Sequence, residues 1–203
     1  MASSLCVVQF ENRPPSELGL QSRLPALNRE KCEAEAGCSY ILHTDASDAP
    51  SYWQKVLLAR RHLRSGSCSV VIWLDSDAVV HTSPRRVSEL LDGKAMAIPR
   101  EIPKWGGPFN AGAWAIAATP AGLRIMDDWA ALWQSASARW QRHGPASRPA
   151  WKCDGCRWAF GPWYEQGAFI DSILPEHGEH VRSVDWSVLN NPCPREVRVI
   201  SLT

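Results

Sequence analysis

No stretch of this chain is long and apolar enough to cross a bilayer. The longest apolar runs, such as Ala111–Ala118, fall far short of the roughly 20 residues a spanning helix needs. Neither sign of charge is in excess. Lysine and arginine number 22 against 21 aspartates and glutamates, a net charge of +1. That gives no electrostatic case for nucleic acid or an anionic membrane as the main partner. Internal repeats and low-complexity tracts are absent. Residues 1–10 have no basic region, and their apolar stretch is too short for a secretory signal, so a cytoplasmic chain is expected. Cysteine is neither scarce nor paired in number: seven stand at 6, 32, 38, 68, 153, 156 and 193. An odd count without a signal argues against a disulfide framework. Cys153 and Cys156 form one C-x-x-C. A structural zinc site needs about four ligands, and only Cys193 or His143 stands ready to complete one, so thiols free or loosely coupled in a loop are expected.

What is present is an ordinary globular composition, 45% hydrophobic over 203 residues, enough for one domain with a sizeable core. Eleven tryptophans are unusual. Most are expected in the core. Trp105, Trp151, Trp158 and Trp163 lie in loop-like segments and are candidates for stacking on sugar rings.

Strand and helix patterns alternate. Leu5–Phe10 reads as a buried first strand ending before Pro14-Pro15. A helix is expected within Ala26–Ala36 and a strand at Ser39–His43. Trp53, Val56, Leu57, Arg60 and Leu63 recur at helical spacing, with Ser51 as a cap and Gly66 as a stop. Val70–Leu74 is a continuous β-branched and apolar run, as in a central strand covered on both faces. Ser83-Pro84 opens another helix, and Pro120 opens a long one through Trp129 to Ala136. Ala95–Ile98 and Gly112–Ala117 read as strands. The segment 135–161 reads as an insertion or mobile loop. Trp163–Leu174 reads as a helix, with short strands near His180–Val184 and Val197–Leu202. This order predicts one α/β domain over residues 1–203, with a mostly parallel sheet flanked by helices. In such sheets ligands bind outside the carboxyl ends of the strands.

Asp75 and Asp77 stand at the carboxyl end of the Val70–Leu74 strand. Two neighbouring carboxylates repel, and partial burial makes each ionised form costly. A hard divalent cation, magnesium or manganese, resolves both problems and also binds diphosphate oxygens. Two other readings apply to these residues. They could simply cap a turn. In a phosphatase of the haloacid-dehalogenase type, Asp75 would be the nucleophile and Asp77 the general acid. That type needs a later lysine and a further acidic pair at a strand end. Here Asp127-Asp128 falls inside a helix, and no lysine lies between Lys104 and Lys152.

The surrounding blocks resemble a known pattern. Tyr52-Trp53-Gln54-Lys55 with Leu57 and Leu58, then Trp73-Leu74-Asp75-Ser76-Asp77-Ala78, then Phe109-Asn110-Ala111-Gly112-Ala113-Trp114 with Trp129, then Glu165-Gln166-Gly167-Ala168-Phe169 occur in one order over residues 51–174. They resemble the galactosyl- and mannosyl-transferase-like, D-x-D family of GT-A glycosyltransferases. In size the chain also resembles small virus-encoded sugar transferases that decorate capsid proteins. The resemblance implies a GT-A-like domain that moves a hexose-type sugar from a UDP-sugar to a hydroxyl of a glycan or glycoprotein, with manganese and with retention. It implies Asp75 and Asp77 as metal ligands, and Asp75, Ser76 and Lys55 near the donor. Asn110, Ala111 and Gly112 would line the sugar pocket, and Val8, Gln9 and Phe10 would border the base. Gln166 and Glu165 would lie near the anomeric carbon, Glu165 replacing the usual aspartate. Members supply a late histidine to the metal. His177 and His180 are the nearest candidates, both expected in a charged surface turn. The alternative within this fold is a sugar-nucleotide-binding module without catalysis.

Overall fold

The computed structural model describes residues 4–45, 48–104, 106–144, 149–156, 161–189, 191–192 and 198–200. The chain order is β1 (Leu5–Phe10), α1 (Pro15–Leu18), α2 (Leu24–Glu33), β2 (Cys38–His43), α3 (Ser51–Arg64), β3 (Val70–Leu74), β4 (Ala78–Val80) and α4 (Pro84–Glu89). It continues with β5 (Met96–Pro99), β6 (Ala113–Ala117), α5 (Pro120–Ser137), β7 (Trp140–His143), β8 (Ala150–Cys153), α6 (Glu165–Ala168), α7 (Leu174–His177), β9 (Val181–Val184), α8 (Trp186–Leu189), β10 (Asn191–Pro192) and β11 (Arg198–Ile200).

Six strands form the central sheet in the order β2-β1-β3-β6-β5-β9. β2, β1 and β3 run parallel, as do β5 and β9, while β6 is antiparallel to both its neighbours. The domain is therefore α/β with a mixed, mostly parallel sheet flanked by helices. β1 and β3 are buried along nearly their whole length, which is why their sequences are continuously apolar rather than alternating. One face packs against α3 and α5 through Trp53, Trp114, Trp129 and Phe169. The other carries Val7, Ile72, Leu74, Val80 and Val87 under α4 and β4. Trp73 and Trp114 are register partners on β3 and β6, and their rings stack at 6.2 Å.

Local chemistry sets the helix ends. Thr119 Oγ1 accepts from Gly122 N at 3.1 Å and Pro120 follows it, a capped start for α5. A side chain at Gly122 would place its Cβ 2.0 Å from the Ala117 carbonyl oxygen, so only glycine lets α5 leave β6 this closely. Gly66, at φ +71°, closes α3. Ser51 does not cap α3. Pro50 holds the extended cap position and its carbonyl accepts from Trp53 N and Gln54 N, which puts Ser51 in the first turn. The helix expected at Trp163–Leu174 starts later and runs on. Tyr164 holds its cap position, and a π-helical turn at Phe169–Ile173 joins α6 to α7 where Pro175 removes an N–H from the regular ladder.

Two expectations are corrected. The segment expected as an insertion or mobile loop carries an antiparallel hairpin, β7 with β8, in the register Trp140↔Cys153 to His143↔Ala150. The cysteines are paired: Cys6–Cys68, Cys32–Cys38 and Cys153–Cys156, with Cα separations of 5.8, 5.3 and 5.5 Å. The odd count reflects three pairs plus Cys193, which lies outside the described residues, and the C-x-x-C is a short disulfide loop rather than half a zinc site. Disulfides persist in oxidising compartments and are rare in the cytosol, so this pairing weighs against the cytoplasmic expectation. Among the described residues no helix is long and apolar enough to cross a membrane.

Candidate functional site

The parallel pairing of β1 with β3 aligns Gln9 with Leu74, so their carboxyl ends open side by side. Glu11 to Arg13 follow one strand and Asp75 to Asp77 the other. β6 runs the opposite way, with Ala113 opposite Leu74, so Asn110–Gly112 enters the same corner from below. The first turns of α3 and α6 add Lys55 and Glu165-Gln166. Between these segments lies a cleft of about 400 Å³, lined among others by Phe10, Arg13, Tyr52, Lys55, Asp75, Ser76 and Asp77.

Buried amides hold the acidic loop. Gln9 Nε2 donates to the Asp75 carbonyl at 3.0 Å, and Asp75 N donates to the Gly112 carbonyl at 2.7 Å. Asn28 Nδ2 donates to the Ala78 carbonyl at 3.0 Å and to Gln9 Oε1 at 2.9 Å, while its Oδ1 accepts from Val80 N at 2.8 Å. Tyr40 Oη donates to Gln9 Oε1 at 2.6 Å. Such a satisfied network specifies one loop geometry. It also relocates two expected donor-contacting residues. Gln9 is fully buried beneath the loop and Val8 fully buried in the core, whereas Phe10 does reach the cleft. The alternation of a strand sends Val8 and Phe10 to one face and Gln9 to the other.

At the floor, Lys55 is 4% exposed. Its Nζ reaches Asp75 Oδ1 at 2.8 Å, Glu165 Oε1 at 3.0 Å and the Ala111 carbonyl at 3.1 Å, which uses all three donors. Burial opposes its charge, but Asp75 and Glu165 outweigh burial and raise the amine's pKa. Burial raises the Glu165 carboxyl above its usual range, Asp75 adds to this, and Lys55 only partly offsets it. Glu165 Oε2 is buried without a hydrogen-bond partner. Gln166 Oε1 accepts from Ala111 N at 2.9 Å, and Asn110 bridges Glu101 Oε2 and Gly112 N. Asn110, Ala111, Gly112, Glu165 and Gln166 thus form the buried wall behind Lys55 rather than the cleft's open surface.

Asp75 Oδ1 also accepts from Trp73 Nε1 at 2.9 Å. Its Oδ2 carries no protein hydrogen bond, and the side chain is 30% exposed in the cleft.

Two cleft residues have no forewarning in the motif blocks. Glu11, 8% exposed, binds Arg13 through both oxygens, at 2.9 Å to Nε and 2.6 Å to Nη2. Arg13 Nη2 continues to Ser76 Oγ at 3.1 Å. Burial alone would raise the Glu11 pKa, but the Arg13 hydrogen bonds and charge bring it below normal. The available signal was an acid and a base two residues apart, just past the carboxyl end of a buried strand.

The expected third metal ligands lie elsewhere. His177 is buried, not in a surface turn, and its Nε2 meets Asp128 Oδ2 on α5 at 2.8 Å. With Glu176 these two could hold an ion, but none of them lines the cleft. His180 is beside Glu179, 3.7 Å away. Asp127 pairs with Arg60 and Arg64 along the helices. The second acidic pair required by the phosphatase reading is therefore not at the site. Of the loop tryptophans, Trp151 borders a second cavity and Trp163 lies under the Arg139 guanidinium at 5.1 Å. Trp105 and Trp158 lie outside the described residues.

A scan against protein families finds no match, and a search of curated proteins finds none either. Solved structures do match. A glycosyltransferase involved in the glycosylation of the major capsid of PBCV-1 aligns at TM-score 0.65 and 16% identity, over 92% of this chain and 84% of that one. The apo form of the glycosyltransferase GlyE of Streptococcus pneumoniae TIGR4 aligns at TM-score 0.54 and 14% identity, over 91% of this chain but only 46% of GlyE. The chain has the fold of these glycosyltransferases.

Proposed function

We propose that this chain is a metal-dependent glycosyltransferase that moves a hexose-type sugar from a UDP-sugar to a hydroxyl acceptor on a glycan or glycoprotein, with retention. The observation that carries the reading is the pair Asp75 and Asp77 lining a cleft at the carboxyl end of β3, in a fold shared with glycosyltransferases.

The donor set suits a hard divalent ion, manganese or magnesium: two carboxylates within one loop, with Asp75 Oδ2 carrying no protein hydrogen bond. Asp75 and Asp77 would hold it. Bound there, it supplies Lewis-acid charge for a departing diphosphate. The chain's own residues do the rest. Phe10 and Tyr52 wall the cleft, and Arg13 offers its guanidinium to phosphate oxygens. Lys55 and the Gln9–Asn28 network hold Asp75 in position. No carboxylate stands free as a nucleophile: Asp75 is tied to Lys55, and Glu165 is buried behind that lysine. This supports a front-face course, in which the acceptor oxygen bonds to the anomeric carbon as the bond to the diphosphate breaks, and the acceptor proton passes to the leaving phosphate. In an inverting course Glu165 would take that proton instead.

The test is UDP release from UDP-sugars with manganese. Asp75→Ala is expected to lose at least a hundredfold in rate, on the order of removing a principal charge-stabilising group. Absence of UDP-sugar binding with metal, together with hydrolysis of a phosphate ester, would overturn the reading in favour of the phosphatase. Thermal shifts with UDP, GDP and CDP, with and without manganese, name the nucleotide, since a ligand of the folded state raises its stability.

A further inference from the structure

A second cavity, about 210 Å³, opens beside the first. Phe10, Asn12, Ser51 and Tyr52 line both, so the two are continuous. The linings differ in chemistry. The larger cleft carries Glu11, Arg13, Lys55, Asp75 and Asp77. The smaller one has no ionisable acid or base apart from the Tyr52 phenol. Its far wall is the hairpin, Trp140 and Trp151 with Ala150, and its near wall is the start of α3.

From this, resting on the glycosyltransferase reading above, we propose that the hairpin cavity is the acceptor subsite, and that it takes an uncharged pyranose ring of the acceptor glycan.

Size is the first argument. Cavities for drug-sized ligands run from roughly 300 to 1,000 Å³. The larger cleft falls in that range and suits a nucleotide; the smaller falls below it and suits one ring. Charge is the second. A neutral lining offers nothing to a diphosphate or an acidic sugar, and desolvating either there would cost without return. The third is the pairing of aromatic walls with hydroxyl and amide groups. A pyranose has apolar C–H faces and a polar rim, and Trp151 and Tyr52 supply apolar surface while Ser51, Asn12 and the Tyr52 hydroxyl supply hydrogen bonds. Pre-organisation is the fourth. Trp140 donates Nε1 to the Trp163 carbonyl at 3.0 Å, and its ring packs edge-on to Tyr164 at 5.0 Å and near Tyr52 at 6.1 Å. Trp151 sits edge-on to Trp133 at 6.4 Å. The Cys153–Cys156 bridge closes the end of β8 next to them. Walls fixed in this way lose little entropy on binding. Continuity with the donor cleft lets an acceptor hydroxyl reach the reacting carbon without crossing solvent.

The test uses saturation-transfer NMR on the full chain with UDP and manganese, with the methyl glycosides of glucose, galactose and mannose, and of glucuronic acid, as probes. Two variants are compared. Trp151→Ala removes a wall, and Ala150→Trp fills the cavity at an exposed strand position without deleting a contact. The expected result is contact to at least one neutral glycoside but not to the glucuronide. In both variants the neutral signal is expected to fall roughly tenfold while UDP affinity stays within about twofold. A tenfold loss of UDP affinity in both variants would assign the cavity to the nucleoside and overturn the proposal. Full neutral-glycoside binding in a folded Ala150→Trp, or UDP binding with no glycoside bound, would overturn it too. Failure of UDP itself to bind the wild type is a different result and sinks the glycosyltransferase reading.

Discussion

The floor and the rim of the cleft each place a cation between acidic or polar partners, and the two behave oppositely because they differ in burial. At the floor, Lys55 is almost fully enclosed and all three of its donors are taken by Asp75, Glu165 and a carbonyl. At the rim, Arg13 is clamped by Glu11, but its side chain remains 43% exposed. A buried cation with every donor engaged can only set geometry. An exposed one held on one edge still has donors to offer a ligand. The motif that resembles known transferases contains the first cation and not the second.

The largest effect should come from breaking the floor. In Lys55→Met, two carboxylates face each other with no compensating charge. Removing one partner of a buried ion pair costs about 3–5 kcal/mol. Because Asp75 keeps partial contact with solvent, the lower end applies, and the melting midpoint should fall by roughly 10 °C. A shift under about 2 °C would show that the lysine does not balance this cluster. Adding Glu165→Gln should recover part of the loss, because it removes one of the two unpaired charges.

Glu165→Gln alone sharpens the same point through pH. The Glu165 carboxyl is raised in the fold, by burial first. A raised acid binds its proton more readily folded than unfolded, so its contribution to stability grows as pH falls through the folded value and is absent well above it. Lys55 is also raised. Its contribution is complete below the unfolded value and is lost as pH rises through the folded one. Urea unfolding of wild type should therefore decline at the alkaline end. Glu165→Gln should flatten the acidic side and bring the alkaline decline to lower pH, since one charge holding the lysine is gone. Parallel curves for the two proteins would remove Glu165 from the balance.

How far all this was legible depends on range. Asp75, Asp77 and Lys55 were readable because a continuous apolar strand and an amphipathic helix are local patterns, and a general rule puts ligands at strand ends. The roles of Gln9 and Val8 were not, because which face of β1 looks at the loop is decided by β3 and α2. Cys6 and Cys68 are 62 residues apart, and only the pairing of β1 beside β3 brings them together. The hairpin escaped notice because β7 exposes Gln141, Arg142 and His143 in a row, which gives neither period. Glu176 and His177 looked like a surface turn because the π-helical turn that carries His177 back onto α5 has no sequence period of its own.

The smallest effect on the fold, and the most telling for the comparison, is expected at the rim. Arg13→Ala leaves Glu11 buried without its partner. An unsatisfied buried group costs about 1–3 kcal/mol, and exposure of the arginine discounts this to about 1 kcal/mol. Stability should fall slightly, and more at neutral than at acid pH. The Glu11 pKa is lowered in the fold, so its contribution is present above the unfolded value and lost as pH falls through the folded one. Binding should respond differently. If the guanidinium meets phosphate oxygens, UDP affinity should drop roughly tenfold while uridine affinity is unchanged. Arg13→Lys keeps the charge but cannot hold Glu11 by two bonds and reach onward at once, so it should recover only part of the UDP affinity. Equal losses for UDP and uridine would mean that Arg13 shapes the cleft wall and does not touch the diphosphate. The rim would then be, like the floor, a cation that only sets geometry.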